Sequence, residues 1–516
     1  MAPSRSFPKH LLRPFSSTVL PLVSGFAALT AFLSTLAPSI SWAHGSSDSG
    51  ELATAAYYLG VAHPTGYPLY VLIGWLFTRL PVGTVAYRLN LLSACAAALT
   101  VVLLTLVLLE LLRHRPPFQG SLAAAGAPLL LAFSPMFWSQ AVVTEVYALN
   151  ALFVALLLFA LAKASAEWPH RALAPAGLGL GLANHVTIVL MLPSLLLGLA
   201  PRFRAGAPTA RTALGLLAIG VGVGTALYLL LPLRSAAAPP YASWGDLRTP
   251  ADLAAHVTGS TYRDALFSLP LEAVLLKLPV VARLLLDQFG WAGYLLIVMG
   301  CWSMFQERRL FSAAWCLAAL LYLLFALEYA VLDSQLYLMP FFLLLAVPAG
   351  FGIASLAALA PARAGSMPRW APFASALPVV ALVLLSLVGN WARMDMSQNW
   401  EAYNYGRDTL DTLPEKSLVF TREDRNTFSL WYVQYVEGYR PDVAIVDARL
   451  LSWPWYRRNL ARTYPDLAVP QSNEVVIDYV TPMVAANRAV RPLFFTYADP
   501  RFPSEGEGTL RRVTGK

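Results

Sequence analysis

Eleven long apolar segments separated by short polar loops constrain the fold of this chain more than any other feature. A helix of about 17–25 apolar residues crosses a bilayer. Only 13% of the residues are charged and 57% are hydrophobic, whereas soluble domains carry roughly 25% charged residues. The sequence therefore predicts a polytopic α-helical membrane protein with about 11 transmembrane helices. The segments lie near residues 17–37, 86–112, 121–137, 145–163, 172–185, 186–200, 212–233, 284–304, 310–329, 336–358 and 373–391.

Two of these eleven segments, and one further apolar stretch, are short for an ordinary crossing. Segments 172–185 and 186–200 meet at the sequence LANHV, which is compatible with a tight hairpin or with broken helices. Residues 67–80 are apolar but short, so we interpret them as a helix lying at the membrane interface. That interpretation sets the side of the membrane on which every later loop lies.

The basic residues predict the orientation, because cytoplasmic loops are enriched in Lys and Arg. With eleven crossings the basic loops share one side, which places the N-terminus in the cytoplasm and external loops near 38–85 and 235–283. Residues 1–43 also fit a signal peptide, with a basic start, an apolar run and Ser-Trp-Ala before His44. The basic residues that define the cytoplasmic side are Arg5, Lys9, Arg13, Arg113, Arg115, Lys163, Arg171, Arg202, Arg204, Arg211, Arg308, Arg309, Arg363 and Arg369.

Composition and short motifs argue against several functions. The net charge of +8 is scattered between apolar segments, which suits membrane topology rather than nucleic-acid binding. Cys95, Cys301 and Cys316 form no CxxC pair, so neither a zinc site nor a disulfide framework is supported. The chain contains no GxGxxG or GxxxxGK[ST] motif, and a nucleotide-binding role is unsupported.

The chain after about residue 398 has a different character. Its apolar runs are shorter and charges are frequent, and SLVF (417–420), NTFSLWYVQYVEG (426–438) and VAIVD (443–447) read as strand, helix and strand. EVVIDYV (474–480) and PLFFTY (492–497) read as later strands. We therefore predict a membrane domain over 1–397 and a small extracytoplasmic α/β domain over 398–516.

The first external loop carries Asp48, Glu51 and His63, although no Lys or Arg lies between Pro14 and Thr78. One interpretation is a capping box, with Asp48 capping a helix and Glu51 reaching back to its backbone. The other is catalysis, and the two are compatible because a helix N-terminus keeps a nearby carboxylate ionised. The following HPTGYP breaks the helix, so His63 and Tyr67 either shape a pocket or form a simple turn.

Polar groups recur at the outward ends of the predicted spans. Each alone has a structural explanation, but polar residues inside a membrane are costly and usually mark function. A ring of them at one interface predicts a site for a lipid-linked substrate, whose phosphate Arg234 or Arg263 would bind. A carboxylate such as Asp48 would then activate an acceptor hydroxyl, with a divalent cation optional. The other members of the ring are Glu145, Tyr147, Asn150, Asn184, His185, Asp333, Gln335 and Tyr337.

Long motifs of the chain resemble a known membrane family. They include DSGELATAAYYLGVAHPTGYPLY, RLNLLSACAAALT, FSPMFWSQAVVTEVYALNALF, LGLANHVT and YLLLPLRSAAAPPYASWGD, followed by WEAYNYGRDTLDTLPEKSLVFTREDRNTFSLWYVQYVEGYRPDVAIVD. The chain is similar, from about Asp48 to Arg458, to a family long known as a membrane domain of unknown function. That family is placed with the GT-C glycosyltransferases and includes the transmembrane protein O-mannosyltransferases and their bacterial relatives.

The resemblance implies a GT-C fold and an enzyme in a bacterial inner membrane. A sugar, with mannose among the candidates, would pass from a polyprenyl-phosphate carrier to an acceptor, such as a protein Ser or Thr or a glycan. Transfer would occur with inversion at the outer face, with Asp48 as general base and Glu51 as its neighbour or substitute. By position in the motifs, the candidate binding residues are His63, Tyr67, Glu145, Tyr147, Asn150, Asn184, His185, Arg234, Trp244, Asp246, Arg263 and Asp333.

Two departures from the family pattern and two rival functions qualify these expectations. Many relatives read nearer NGDNDTF where this chain has TREDRNTF (421–428), and the helical repeats that follow the core in some relatives do not occur before Lys516. A transporter or flippase of lipid-linked sugars is the main rival; transporters often carry inverted repeats, and the sequence shows no internal repeat. An assembly subunit that binds partners through its tail is the other rival. No metal site is predicted.

Overall fold

The computed structural model of the protein is mostly helical and describes residues 9–163, 173–204, 207–331, 333–359, 376–472, 478–507 and 509–514. Its first three-quarters form a bundle around one large apolar core. The helices of this region are α1 (Lys9–Ser34), α2 (Ser49–Tyr58), α3 (Pro68–Phe77), α4 (Val85–Leu111), α5 (Pro117–Ala132), α6 (Pro135–Ala141), α7 (Tyr147–Ala162), α8 (Leu173–Asn184), α9 (Leu192–Arg204), α10 (Ala207–Tyr228), α11 (Leu230–Ala237), α12 (Pro250–Val257), α13 (Leu271–Glu307), α14 (Arg309–Glu328), α15 (Met339–Leu359) and α16 (Ala376–Met394).

Every predicted apolar span overlaps one of these helices or a pair of them, and the span 186–200 begins with a 3-10 helix, Val186–Met191, before α9. Residue 172 and residues 373–375, at the starts of two predicted spans, lie outside the described residues. The predicted polytopic helical class is confirmed, whereas the number of eleven crossings stays a prediction. Within the described ranges, six segments are long and apolar enough to cross a membrane, and the bent pair α5–α6 makes a seventh. The six are Val85–Leu111, Leu214–Ala237, Leu271–Glu307, Arg309–Glu328, Ser334–Leu359 and Ala376–Met394.

Two helix breaks bring polar residues together at one end of the bundle. Helices α5 and α6 are bent by 71°, because Pro135 holds Ser134 in an extended conformation and cannot continue the helix. The chain then turns through Glu145 into α7. A second break lies at His185, whose extended backbone separates α8 from a 3-10 turn, Val186–Met191. The predicted interruption at LANHV is therefore present.

The chain beyond residue 398 folds as an α/β unit. The sheet order is β2 (Ala444–Asp447), β1 (Leu418–Thr421), β3 (Leu493–Phe495), β5 (Leu510–Val513) and β4 (Ser504–Glu507). Strands β2, β1 and β3 are parallel, with Leu418 opposite both Ala444 and Leu493, and the other two pairings are antiparallel. The elements are α17 (Glu401–Thr412), β1 (Leu418–Thr421), α18 (Asp424–Trp431), β2 (Ala444–Asp447), α19 (Pro454–Thr463), α20 (Val480–Asn487), β3 (Leu493–Phe495), β4 (Ser504–Glu507) and β5 (Leu510–Val513).

The sequence predicted the first half of this unit well and the second half in part. The strand, helix and strand of residues 417–447 are confirmed, with α18 continuing through the turn Tyr432–Val436. Most of the predicted strand 474–480 lies outside the described residues, and its last residue, Val480, begins helix α20 instead. Strands β4 and β5 were not predicted, since their polar side chains are mostly exposed and give no apolar signal.

The loop 38–85 and the C-terminal unit share one hydrophobic core. Ala53 and Ala56 of α2 belong to the same buried cluster as Phe428, Tyr432 and Val446 of the C-terminal unit. The approach is closest at Gly50, where an added Cβ would lie 2.1 Å from the backbone oxygen of Phe428. The C-terminal unit is thus packed directly against the loop that carries Asp48.

Candidate active site

A cavity of about 860 Å³ lies where six parts of the chain meet: the loop 38–85, the start of α7, the break after α8, the 244–266 region, the α14–α15 connection and the C-terminal unit. Its walls combine carboxylates, histidines and aromatic rings. The structure therefore brings together residues from six distant parts of the chain. Of the predicted site residues, nine line it: Asp48, His63, Tyr67, Glu145, Tyr147, His185, Trp244, Asp246 and Asp333.

Asp48 precedes α2, but its side chain does not cap that helix. Its backbone oxygen accepts from the N–H of Leu52 at 2.9 Å, while its carboxylate makes no capping hydrogen bond. The predicted capping box is therefore wrong, and the Glu51 side chain is used elsewhere. The Asp48 carboxylate, 37% exposed, faces the cavity, where Oδ2 lies 3.7 Å from Nε2 of His63.

Glu51 holds His63 through two hydrogen bonds. Its Oε1 accepts from the His63 backbone N–H, and its Oε2 lies 2.9 Å from His63 Nδ1. This geometry depends on the turn after α2, where Leu59 takes a left-handed conformation and the chain doubles back. Glu51 is buried behind His63 and does not line the large cavity. The row Glu51–His63–Asp48 is thus the organised centre of this wall.

Burial and charge shift the titration of the two groups that face each other. Burial raises the pKa of Asp48 to about 6, although the nearby His63 opposes the shift. Burial would lower the pKa of His63, but the carboxylates of Glu51 and Asp48 outweigh it and raise that pKa to about 10. At neutral pH, Asp48 is therefore a carboxylate beside an imidazolium, with a pKa close to the range in which bases work best.

Aromatic rings and two more acids form the adjoining wall. The rings of Tyr67 and His185 stack with centroids 5.9 Å apart, and Tyr147 and Tyr337 pack against His185. The Tyr147 hydroxyl donates weakly, at 3.4 Å, to Asp333 Oδ2. Aromatic faces beside carboxylates suit a sugar, which presents both C–H faces and hydroxyl donors.

The other predicted binding residues lie outside the cavity. Arg234 donates from Nε to the Leu59 carbonyl at 2.6 Å and from Nη2 to the Tyr58 carbonyl, so it holds the end of α2. Asn150 donates to Thr187, and Asn184 donates to the Val146 carbonyl. Arg263 is exposed and does not line the cavity. None of the four is placed as a direct ligand.

Sequence reasoning missed the contribution of the C-terminal unit to the cavity. Asp424 follows β1 and Arg449 follows β2, so both stand at the carboxyl ends of parallel strands, where ligands bind in open α/β sheets. Arg458 comes from α19 and donates to Asp246 at 2.9 Å. The strand-end positions were the available signal. Tyr337, one of the polar groups at the predicted span ends, also lines the cavity, and further lining residues that were not predicted are Tyr262, His256 and Trp455.

Trp244 joins the two sides of the cavity. Its backbone N–H donates to the Val61 carbonyl at 2.9 Å. Its ring lies 6.0 Å from His63 and also packs against Phe428 and Trp455 of the C-terminal unit, at 6.1 and 5.8 Å. The Trp244 ring therefore fixes the spacing between His63 and the C-terminal unit.

The charges of the cavity are unevenly distributed. Its carboxylates are spread over several elements, and the described residues contain no cluster of three or more His, Cys, Asp or Glu side chains placed to hold a metal ion. Among the Lys and Arg side chains of the described ranges, Arg449 and Arg458 alone line the cavity. Every such cationic side chain therefore comes from the C-terminal unit.

Comparison with known proteins finds two family models that match separate regions of the chain. Residues 48–205 match the protein O-mannosyl-transferase TMEM260 N-terminal domain, and residues 402–480 match TMEM260-associated domain 2. The mouse protein O-mannosyl-transferase TMEM260 is 29% identical over 465 residues, covering 84% of this chain and 64% of the mouse protein. The Dictyostelium discoideum counterpart is 25% identical over 496 residues, covering 86% and 58%. The chain thus spans less than two thirds of the length of these relatives.

Two solved membrane proteins share the architecture of this chain. ArnT from Cupriavidus metallidurans, bound to undecaprenyl phosphate, aligns with a TM-score of 0.61 at 14% identity, covering 97% of this chain and 98% of ArnT. The Archaeoglobus fulgidus oligosaccharyltransferase aligns with a TM-score of 0.52 at 13% identity, covering 89% and 69%. The resemblance identified from the sequence is therefore confirmed: the chain is a polytopic membrane protein with the fold of the GT-C glycosyltransferases, related in sequence to the TMEM260 protein O-mannosyl-transferases.

Proposed function

We propose that the protein is a glycosyltransferase that moves a sugar from a polyprenyl-phosphate carrier to a hydroxyl acceptor with inversion. A protein Ser or Thr is the proposed acceptor, and mannose the first sugar to test. The observation that carries the proposal is the Asp48 carboxylate, which faces a large cavity beside an imidazolium that Glu51 holds in place. The names of the relatives and of ArnT with its bound lipid phosphate support the choice of substrates.

The reaction follows from the chemistry of a carboxylate base and a phosphate leaving group. Asp48 removes the proton from the acceptor hydroxyl, whose oxygen attacks the anomeric carbon from the face opposite the phosphate. The bond from that carbon to the phosphate oxygen breaks, and its electron pair leaves with the polyprenyl phosphate. A single displacement inverts the anomeric centre. Asp48 finally releases its proton to water.

The neighbours of Asp48 have distinct parts in this scheme. His63 remains a cation at neutral pH, so it favours the ionised form of the base. Glu51 keeps His63 charged and oriented, and acts as a positioning residue because it does not reach the cavity. Tyr67, Tyr147 and the acids of the adjoining wall would bind the sugar. The cavity walls would exclude bulk water and so reduce hydrolysis of the donor.

The proposed setting is the inner membrane of a bacterium, with the N-terminus in the cytoplasm. The cavity and the C-terminal unit would face the extracytoplasmic side, where an acceptor protein is accessible. The alternation of basic loops in the sequence supports this orientation. Cysteine labelling of exposed positions in the first external loop of intact cells tests it, and labelling only after cell lysis would contradict it.

The decisive variant is Asp48→Asn, which keeps the size of the side chain and removes the base. We expect sugar transfer to fall by about 10²–10⁴-fold, the usual worth of a general base, with unchanged thermal unfolding because the side chain makes no capping bond. The assay uses purified protein in detergent, a polyprenyl-phosphate sugar and Ser- or Thr-containing peptides. Asp264→Asn is the matched control, since Asp264 is exposed and does not line the cavity.

The same assay separates transfer from transport. Detergent removes the two compartments that a flippase needs, so product formed in detergent requires an enzyme. The transporter hypothesis would replace this proposal if two results occurred together. The wild-type protein would modify no hydroxyl acceptor with mannosyl, glucosyl or aminosugar donors, and it would move lipid-linked sugars across the membrane of vesicles.

A further inference from the structure

The sugar donor brings a phosphate into a cavity that is rich in carboxylates. Because attack is in line, the phosphate lies across the sugar from Asp48, and it becomes more negative as the bond breaks. Such a group is normally held by Arg or Lys. Arg234 is committed to the carbonyls at the end of α2, and Arg263 lies outside the cavity. The phosphate ligand must therefore be sought elsewhere.

We propose that Arg449 and Arg458 of the C-terminal unit bind the phosphate of the lipid-linked sugar. This inference rests on the proposed function and assigns a direct role in substrate binding to the α/β unit. Among the described residues, Arg449 and Arg458 are the two Lys or Arg side chains that line the cavity. They reach it from two different elements, the loop after β2 and helix α19.

Arg449 is presented by a rigid strand end. The fully buried Asp447 accepts from the backbone N–H groups of Arg449 and Leu450, at 2.8 and 3.1 Å, and so fixes the loop. The guanidinium is 47% exposed, with Nη2 donating to Asp424 and, at 3.4 Å, to Asp447. Among the described residues, both hydrogen bonds of this guanidinium use Nη2, so Nε and Nη1 can donate to a second anion.

Arg458 is positioned by its neighbour on α19. Arg457 is fully buried and donates to the carbonyls of Leu451 and Ser452, which anchors the first turn of the helix. Arg458, the next residue, is 41% exposed and donates from Nη2 to Asp246 at 2.9 Å. Two consecutive arginines thus differ completely in environment, one built into the domain and the other directed at the cavity.

Carboxylate partners keep both guanidinium groups in place before the donor arrives. Asp424 and Asp246 are themselves partly exposed cavity residues, so these are half-solvated ion pairs of small net value. A phosphate can use the remaining donors or displace a carboxylate. The arginines then stabilise the phosphate more strongly as the glycosidic bond breaks, because its charge grows from one to two.

The test measures binding of a short-chain isoprenyl monophosphate to the purified full-length protein by calorimetry in detergent. Arg449→Gln and Arg458→Gln are each expected to weaken this binding by about 10- to 100-fold, the worth of charged hydrogen bonds. Binding of the corresponding isoprenyl alcohol should be unchanged. Arg449→Lys should fall between wild type and Arg449→Gln, since it keeps the charge and loses the fork.

Matched controls exist for both arginines. Arg248 shares the partner Asp246 with Arg458, but it is exposed and does not line the cavity. Arg425 follows Asp424 in the first turn of α18 and pairs with Glu423, and it does not line the cavity. Arg248→Gln and Arg425→Gln should bind the isoprenyl monophosphate as the wild type does. A weakened control would show that surface charge alone governs the affinity and would overturn the proposal.

The outcomes separate this inference from the proposed function. If the wild-type protein transfers sugar but the arginine variants bind the isoprenyl monophosphate at wild-type affinity, the phosphate site is overturned and the proposed function stands. A wild-type protein that neither binds the phosphate nor transfers sugar rejects the function itself. Equal affinity for inorganic phosphate, with the same dependence on both arginines, would overturn the assignment to a lipid-linked ligand. Thermal unfolding midpoints verify that each variant is folded, and Arg449→Lys replaces Arg449→Gln if the latter is not.

Discussion

The two walls of the cavity hold their charged groups in opposite ways. On the wall of the loop 38–85, the buried Glu51 is joined by two hydrogen bonds to His63, which is 14% exposed, and Asp48 lies beside His63 at the cavity surface. On the wall of the C-terminal unit, Arg449 and Arg458 are nearly half exposed and paired with partly exposed acids. The wall with Asp48 has a single arrangement of its hydrogen bonds, whereas the arginines of the C-terminal wall can exchange their carboxylate partners for another anion.

This difference matches what each wall is proposed to do. Proton removal needs a base whose pKa and orientation stay constant, and buried, hydrogen-bonded neighbours provide that stability. Binding and releasing a phosphate on each turnover needs cations that can change partners, which half-solvated pairs allow at little cost. The chemistry is thus divided between an early and a late segment of the chain.

Separating the two walls should have the largest effect. In Gly50→Ala the new Cβ would lie 2.1 Å from the Phe428 backbone oxygen, so α2 and the C-terminal unit must move apart. Misplacement of about 1 Å can cost roughly 100-fold in rate, and overpacking costs about 1–3 kcal/mol of stability. Transfer assays and thermal unfolding measure both. Gly389→Ala, at a helical glycine with open space around it, is the control and should leave both unchanged.

Disturbing only the wall that carries Asp48, Glu51 and His63, here called the base wall, should have the next largest effect on sugar transfer. Glu51→Gln removes the charge that holds His63 protonated, so the pKa of His63 falls and Asp48 loses a neighbouring cation. The pKa of Asp48 then rises, and each unit above the assay pH lowers the ionised fraction of Asp48 about tenfold. We therefore expect a 10- to 100-fold loss of sugar transfer at pH 7. Binding of an isoprenyl phosphate should not change. Parallel loss of binding would show that the walls do not act separately.

The pH profile of the wild-type protein should show the base wall directly. Burial raises the pKa of Asp48 to about 6, and the base works only when ionised. The value of kcat/KM should therefore fall about tenfold per pH unit below 6. His63, with its pKa raised to about 10, stays charged up to that pH, so the rate should be level between 7 and 9. A rate that stays constant down to pH 4.5 would exclude Asp48 as the base.

The smallest effect is expected at Arg234, which the sequence placed among the phosphate ligands. Because its guanidinium caps the carbonyls of Tyr58 and Leu59, Arg234→Gln should lower the free energy of unfolding by about 1–3 kcal/mol. The KM for the lipid donor should stay within about twofold. A large rise in KM with unchanged stability would place Arg234 back in the phosphate site and weaken the case for the C-terminal wall.

Much of this architecture could be predicted because apolar length and loop charge are local signals. The same holds for the first loop, where Asp48 and His63 stand out as polar groups without nearby cations in sequence. The role of Arg234 could not be predicted, since an arginine at the end of a span serves equally well for a phosphate or for free carbonyls. Arg449 and Arg458 were missed because their place in the cavity depends on the docking of the C-terminal unit, which no local pattern encodes.

That docking also determines the order in which the protein becomes competent. Ser41 and Trp42 hydrogen-bond to Asn399 and Ser429, partners that follow them by 358 and 387 residues in the chain. The ribosome therefore finishes the loop with Asp48 long before it makes the surface that covers it, and contacts of such separation form late in folding. Until then the incomplete cavity lacks Arg449 and Arg458. On the proposed function, a nascent chain would be unable to use the lipid donor prematurely.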